Sequence, residues 1–134
     1  MAQVGYIQSP AVPVKVNGTL AEGVAVQIDT SENSASQIAV EVTGTGVAAL
    51  GILTEATTST KTVASIWMDG IHPAVCKGDG TEITEGLFLK VTSAGYLVPV
   101  ASNNDIAVAQ ALDGTTGAAT LMLVKIISPM YYGA

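Results

Sequence analysis

An all-β domain, a compact barrel or sandwich, is the fold class that the sequence predicts, and three observations predict it. Apolar residues alternate with small or polar ones, strands set apart by Gly-, Asn- and Asp-containing turns recur at about 8 to 14 residues, and no window sustains an i, i+3, i+4, i+7 apolar stripe. The longest Gly- and Pro-free windows, 24–43 and 52–69, are rich in β-branched, Ser and Thr residues, which disfavours helix in both. A short helical turn is expected only near Ala101 to Ile106.

The chain opens with an extended apolar segment, residues 1–16, in which Pro10 and Pro13 accompany Val4, Tyr6, Ile7, Val12, Val14 and Val16, with no charge before Lys15. Proline removes ladder donors, so this is not expected to be a central strand of its own sheet. Two readings follow, an arm that lies on another chain and a first edge strand. The arm is the expectation adopted, with Val4, Tyr6, Ile7, Val12 and Val14 as its contact residues.

The β-domain is assigned to residues 17–128. Val24, Val26 and Ile28 alternate with Ala25 and Gln27, and Ile38, Val40 and Val42 with Ala39 and Glu41, so each run reads as a strand with one core face. Leu87, Leu89 and Val91, then Tyr96, Val98 and Val100, then Ile106, Val108 and Leu112 continue the pattern. Thr120 to Ile127 is apolar on both faces, as in a central strand or one covered by a partner. Asn17-Gly18, Gly44-Thr45-Gly46, Gly78-Asp79-Gly80, Ser93-Ala94-Gly95, Asn103-Asn104-Asp105 and Asp113-Gly114 supply the turns. A tail, 129–134, carries Met130, Tyr131 and Tyr132 after Pro129 and reads as a second contact surface.

A weak internal duplication runs through the domain. Asn17-Gly18-Thr19, Glu22-Gly23 and the strand Val24 to Ile28 match Asp79-Gly80-Thr81, Glu85-Gly86 and the strand Leu87 to Val91. ALGILTEA, Ala49 to Ala56, then matches AVAQALDG, Ala107 to Gly114, and apolar strands ending in Ile-His-Pro and Ile-Ser-Pro follow. Two similar half-units packed about a pseudo-twofold axis around one core are expected.

Composition excludes several function classes. The chain has 134 residues, five cationic side chains, all Lys, eleven acids and a net charge of -6. That is one domain's length, and nucleic-acid binding, which needs clustered Lys and Arg, is not expected. One Cys permits no internal disulfide, and MAQVGYIQSPAV lacks the basic and apolar regions of a secretory signal, so synthesis in a cytoplasm is expected. Every apolar run is interrupted well before the ~18 residues of a membrane helix. Only six residues are aromatic, thin for a monomer core, and the doubly apolar strand needs covering, so a homotrimer is expected.

Chemistry-bearing patterns are few. Gly44 to Ala49, GTGVAA, fits G-x-G-x-x-G/A, but residues 47–60 contain Gly51 and four Thr where the dinucleotide fold needs a helix, so a turn is expected. His72 and Cys76 lie four apart in IHPAVC, and at strand spacing their side chains stand about 13 Å apart, too far for a dyad. No second His or Cys completes a metal site, so Cys76 reads as a small buried apolar residue and His72 as a strand-end or interface residue. Asp79, Glu82 and Glu85 belong to a solvated turn rather than to acid–base chemistry. Asn17-Gly18-Thr19 matches a glycosylation acceptor but reads as a turn without a secretory route. No enzyme, cofactor or metal is expected.

From Asp79 to Val100, DGTEITEGLFLKVTSAGYLVPV resembles the glycine-punctuated core of small tailed-phage capsid decoration, or cement, proteins: Gly80, Ile83, Gly86, Gly95 and Leu97 fall on the pattern. IAVAQALD, Ile106 to Asp113, and the closing ATLMLVKI resemble the end of that family, and ALGILTEA resembles its A-(apolar)-G-(apolar) element, so the likeness spans Ala21 to Ile127. Ala109 or Gln110 stands where the family often has Gly, which leaves the register of that strand open. The resemblance implies a β-domain that trimerises outside a phage head at threefold or quasi-threefold positions and clamps neighbouring major capsid protein subunits. The arm residues would then meet the capsid, and Met130, Tyr131 and Tyr132 the other copies. A tail-fibre or adhesin-type binding module is the alternative, and a small hydrolase or nucleotide-binding enzyme using Gly44 to Ala49 or His72 a more distant one.

Overall fold

The computed structural model describes residues 11–43, 49–78, 82–92, 94–102, 104–115 and 117–131, and among them it is all-β. The strands are β1 (Val12–Val16), β2 (Ala25–Ile28), β3 (Ala39–Val42), β4 (Gly51–Leu53), β5 (Val63–Trp67), β6 (Gly70–Cys76), β7 (Phe88–Val91), β8 (Leu97–Pro99), β9 (Ile106–Ala111) and β10 (Thr120–Tyr131). They close into two five-stranded barrels, ordered β1-β3-β2-β4-β5 and β6-β8-β7-β9-β10 around each circle.

The second barrel repeats the first pair by pair. β1 is parallel to β3 and antiparallel to β5, as β6 is to β8 and β10. Val26 pairs with Val42 and Gly51 where Leu89 pairs with Pro99 and Ala109. Ile52 and Leu53 meet Trp67 and Ile66 where Gln110 and Ala111 meet Lys125 and Val124. Lys15 opposite Val63 corresponds to Val75 opposite Leu121, which puts Pro13 and Pro73 in the same place. His72-Pro73 therefore begins the second barrel rather than ending a strand of the first.

The arrangement of the halves corrects the expected twofold packing around one core. Each half closes on itself, so each has its own interior: Val14, Val16, Val26, Val40, Leu53, Ala64 and Ile66 fill the first barrel. Leu89, Val91, Leu97, Ala109, Ala111 and Val124 belong to the second cluster, which also takes in Ala25 and Ile52 from the first barrel's outer surface. Period-two alternation sends Val26 and Leu53 inward and Ala25 and Ile52 towards the other barrel.

The joint is made by backbone. The Gly23 carbonyl accepts a hydrogen bond from Val75 N at 2.9 Å, and Ala25 N donates to the Gly95 carbonyl at 2.9 Å, so residues 23–25 insert between β6 and β8. A Cβ at Gly95 would collide with the Val24 side chain and lie 2.9 Å from the Ala25 carbonyl oxygen, and its φ is +79, so the close approach requires glycine. A Cβ at Gly23 would lie 2.5 Å from Leu121 Cδ2 and 3.1 Å from Val75 N, whereas one at its counterpart Gly86 would meet nothing within 4 Å. Contact on one of two equivalent surfaces excludes a twofold relation. Both outer counterparts are closed within the chain: Gln110 Nε2 donates to the Gly86 carbonyl at 3.1 Å, and Lys15 N donates to Ile38 O at 2.8 Å.

Both terminal segments differ from expectation. Val12–Val16 is a full member of the first barrel, between β5 and β3. Proline is tolerated because Lys15 N and Asn17 N donate to β3, so by alternation the missing Pro13 donor faces the same side, before the β3 pairing begins. The expected tail instead continues β10, since Met130 and Tyr131 pair with Ala107 and Ile106 beyond a bulge after Ile126. The expected helical turn near Ala101 to Ile106 is a turn held by Asp105, whose carboxylate accepts from Ala101 N at 2.7 Å and Ser102 N at 2.9 Å.

Candidate functional site

The residues singled out for contact do not form one site. Val14 is 1 % exposed inside the first barrel, which corrects its place among outward contacts, and Val12 is half-buried against the same core. Val4, Tyr6, Ile7 and Tyr132 lie outside the described residues, as do Gly44 to Ala48 of the glycine motif and Asp79. Met130 and Tyr131 are exposed, Tyr131 to 64 %, where β10 continues beyond its pairing with β6.

His72 and Cys76 both face the interior of the second barrel, where alternation along β6 buries His72, Ala74 and Cys76 in turn. Burial pushes the Cys76 thiol up to about 12, which leaves it protonated and without nucleophilic character at neutral pH. His72 stacks on Trp67 with ring centroids 4.1 Å apart and planes within 4°. Burial lowers its pKa against the opposing effects of a hydrogen bond to the Asp69 backbone and the Asp69 charge, while Nε2 is buried without a hydrogen-bond partner. Trp67 ends β5 and His72 lies near the start of β6, so the stack sits where one barrel leads into the next. The sequence gives no sign of it, because the two rings are separated by a turn whose geometry spacing alone does not fix.

Two carboxylates, Asp29 and Asp105, hold turns. Asp29 accepts from Ser31 Oγ at 2.6 Å, Ser31 N at 3.0 Å and Asn17 Nδ2 at 3.1 Å, and the Ser31 hydroxyl leads in holding its pKa below the ordinary value. Asp105 is drawn down to about 2, first by the Ala101 amide, then by the Ser102 amide and by Lys90, whose Nζ is 3.1 Å away. Glu82 and Glu85 are exposed. Among the described residues no three His, Cys, Asp or Glu side chains gather to hold a metal ion, and no helix is long and apolar enough to cross a membrane.

Besides a cavity of about 410 Å³ beside β1, lined by Val12, Pro13, Ser34, Gln37, Ile38 and Val63, the described residues form two others. One of about 350 Å³ in the first barrel is lined by Asn17, Thr19, Thr58, Ser59 and the Lys15–Glu32 ion pair, and no His or Cys borders it. The other, about 220 Å³, lies between the barrels among Leu50, Ile52, Met68, Val108, Ile126 and Pro129. Exposed large apolar side chains lie on both barrels, with Ile28, Ile38 and Val63 on the first and Leu112, Leu121 and Leu123 on the second.

The fold and these surfaces define an all-β tandem barrel. A solved structure with this architecture is the N base of the head fibre gp8.5 of bacteriophage phi29, to which the chain is similar with a TM-score of 0.68 at 10% sequence identity, over 90% of this chain and 97% of that one. No family model matches the chain, and no curated protein matches it.

Proposed function

We propose that the chain is a non-catalytic structural protein of a phage head, a decoration or cement protein that sits on the outer capsid surface as a homotrimer and clamps neighbouring major capsid subunits. One observation carries this reading: the tandem-barrel fold matches the base of a phage head fibre across nearly the whole of both chains. That match covers 90% of this chain and 97% of the other. Val4, Tyr6 and Ile7, N-terminal to β1, are the proposed capsid contacts, with Val12 at the rim. Met130, Tyr131 and Tyr132 at the other end of the chain are the proposed contacts between copies.

Cementing of this kind acts through linkage. A protein that binds only the expanded shell stabilises it by RT ln(1 + [L]/Kd), about 2.7 kcal/mol per site at a hundred-fold excess over Kd, and a shell has many sites. After synthesis in the host cytoplasm, the protein would be found on the outside of the virion.

Co-sedimentation with expanded heads that lack the protein tests the reading. Saturable binding, with greater resistance of the loaded heads to heat or chelation, is the expected result. Absence of binding overturns the reading, and binding to bacterial cells in place of heads would favour the adhesin-type module. Removing residues 2–10 is expected to weaken head binding at least about ten-fold while both barrels keep their thermal stability.

A further inference from the structure

The two barrels differ at one seam. In the second, the start of β6 stands apart from the turn before β8, and residues 23–25 fill the space: Gly23 lies against Leu121 and Val75, and the buried Val24 side chain lies against Gly95. The matching seam of the first barrel runs between the start of β1 and residues 34–38. By register, Val63, Lys15 and Ile38 stand there where Leu121, Val75 and Gly95 do. Among the described residues no segment fills it, and a cavity of about 410 Å³ is found instead, walled by Val12, Pro13, Ile38 and Val63. Ile38 and Val63 are 39 and 53 % exposed. Proline keeps the seam open. Lys15 N donates to Ile38 O at 2.8 Å, but the next rung towards the start of the chain would need Pro13 N, which carries no hydrogen. Residues 34–37 instead turn back on themselves through reciprocal backbone bonds between Ser34 and Gln37 at 3.1 and 3.3 Å. Pro73 holds the same place in β6, so both barrels have the unzipped seam, and in one of them the chain itself shows what fits.

We infer that this groove of the first barrel docks an extended, uncharged segment of small and β-branched residues that belongs to another protein. The chemistry of the occupant is read from Gly23-Val24-Ala25, which fills the matching seam. No charged side chain lines the groove, so a charge at the centre of a docked segment would lose its water without gaining a partner. Ser36 and Gln37 at the rim offer hydrogen bonds to its backbone, and Val63 and Ile38 take its side chains. A second copy does not offer the segment, because its own is already seated in its second barrel. Docking here differs from the internal joint in one respect. Ile38 brings a side chain where Gly95 has none, and its carbonyl is taken by Lys15, so a visitor lies along the groove rather than entering the ladder, and it binds reversibly. On the proposed function the segment is part of a capsid subunit, but the inference rests on the match between the barrels and goes beyond head attachment.

Titration of the full chain with a capped peptide of its own residues 21–27, AEGVAVQ, followed by backbone amide chemical shifts, tests the groove without heads. Saturable shifts at Ile38 and Val63 by about 1 mM peptide are expected, while Gly95 and Leu121 stay unmoved because their seam is filled. Val63→Asp, which charges the groove, and Ser36→Trp, which fills it, are each expected to weaken binding at least about ten-fold, with circular dichroism verifying that the barrels are folded. Absence of saturable shifts overturns the inference, as does binding that both variants leave unchanged. If the wild-type chain sediments above 13.5 kDa and the peptide dissociates it, a second copy fills the groove and the inference fails. Expanded heads separate this inference from the proposed function. If the peptide binds as expected and no form of the protein binds heads, the inference holds and head attachment fails. If wild type and both variants bind heads alike and the peptide does not bind, head attachment stands and the inference fails.

Discussion

His72 brings together burial, an aromatic stack and a ring nitrogen with no partner, and its energetic consequence is a dependence on pH. Its pKa in the folded chain lies below the ordinary 6.5, so the unfolded chain takes up the proton first. Stability is thus fully present above pH 6.5 and declines as pH falls below it. Thermal denaturation between pH 7.5 and roughly 5 is expected to show this decline, and His72→Phe to flatten it while preserving the stack on Trp67. An orphaned buried polar group costs about 1 to 3 kcal/mol, so the variant should be no less stable than wild type at neutral pH. Asp105 acts in a separate window: its carboxylate is depressed from 3.8 to about 2, so its contribution is present above 3.8 and lost as pH falls towards 2. Asp105→Asn should reduce that acid limb, to which Asp29 also contributes, and leave the His72 limb in place.

Strands and turns carry the next level of consequence. Gly23 and Gly86 occupy matching positions with φ of +83 and +91, yet only Gly23 is covered by another barrel. Alanine at either site meets the left-handed backbone cost of about 1 to 2 kcal/mol. Gly23→Ala should lose about 1 to 3 kcal/mol more than Gly86→Ala, because its Cβ must displace Leu121 and the Val75 backbone. Equal losses by chemical denaturation would mean that the barrels are not locked together at this point. β1 yields a second expectation. Removal of residues 2–10 leaves its ladder to β5 intact, whereas removal of residues 2–16 takes Val14 and Val16 from the core and both ladders with them. The longer truncation is expected to unfold the first barrel, read as lost tertiary signal and rapid proteolysis.

Much of the architecture is legible in the sequence because its period is short. The match between Val24 to Ile28 and Leu87 to Val91 is the match found in the barrel registers, since alternation and turn residues are local signals, although Ile28, expected on the core face, is 44 % exposed and Ala25 is buried against the other barrel. What alternation cannot say is which strand closes on which. Two barrels and a single two-layered core ask for the same in-and-out pattern, and only the long-range pairs of β1 with β5 and of β6 with β10 separate them. Pro13 misled for a related reason: a missing donor matters only on the side where a partner lies, and that side is set by pairing. The candidate surface was half legible. The doubly apolar run from Thr120 to Ile127 announces a covered strand, but that Val63 matches Leu121 while Ser65 stands where Leu123 does emerges only when the two barrels are matched position by position. At the level of the whole chain, two interiors joined by one backbone seam should unfold in a single transition. Two resolved calorimetric steps would show that the seam couples the barrels weakly.

The glutamine at the open end of the tandem bears on how long an assembly can grow. A carbonyl that takes a neighbour's amide at Gly23 is answered at Gly86 by the chain's own Gln110, and the gap that admits residues 23–25 in the second barrel is already shut in the first. Plug and socket of this joint are thus both spent inside one polypeptide, and no barrel is left to recruit another by the same route. A repeat that could extend itself head to tail would form filaments of indefinite length. Among the described residues this joint is used once, because both of its outer counterparts are already closed within the chain.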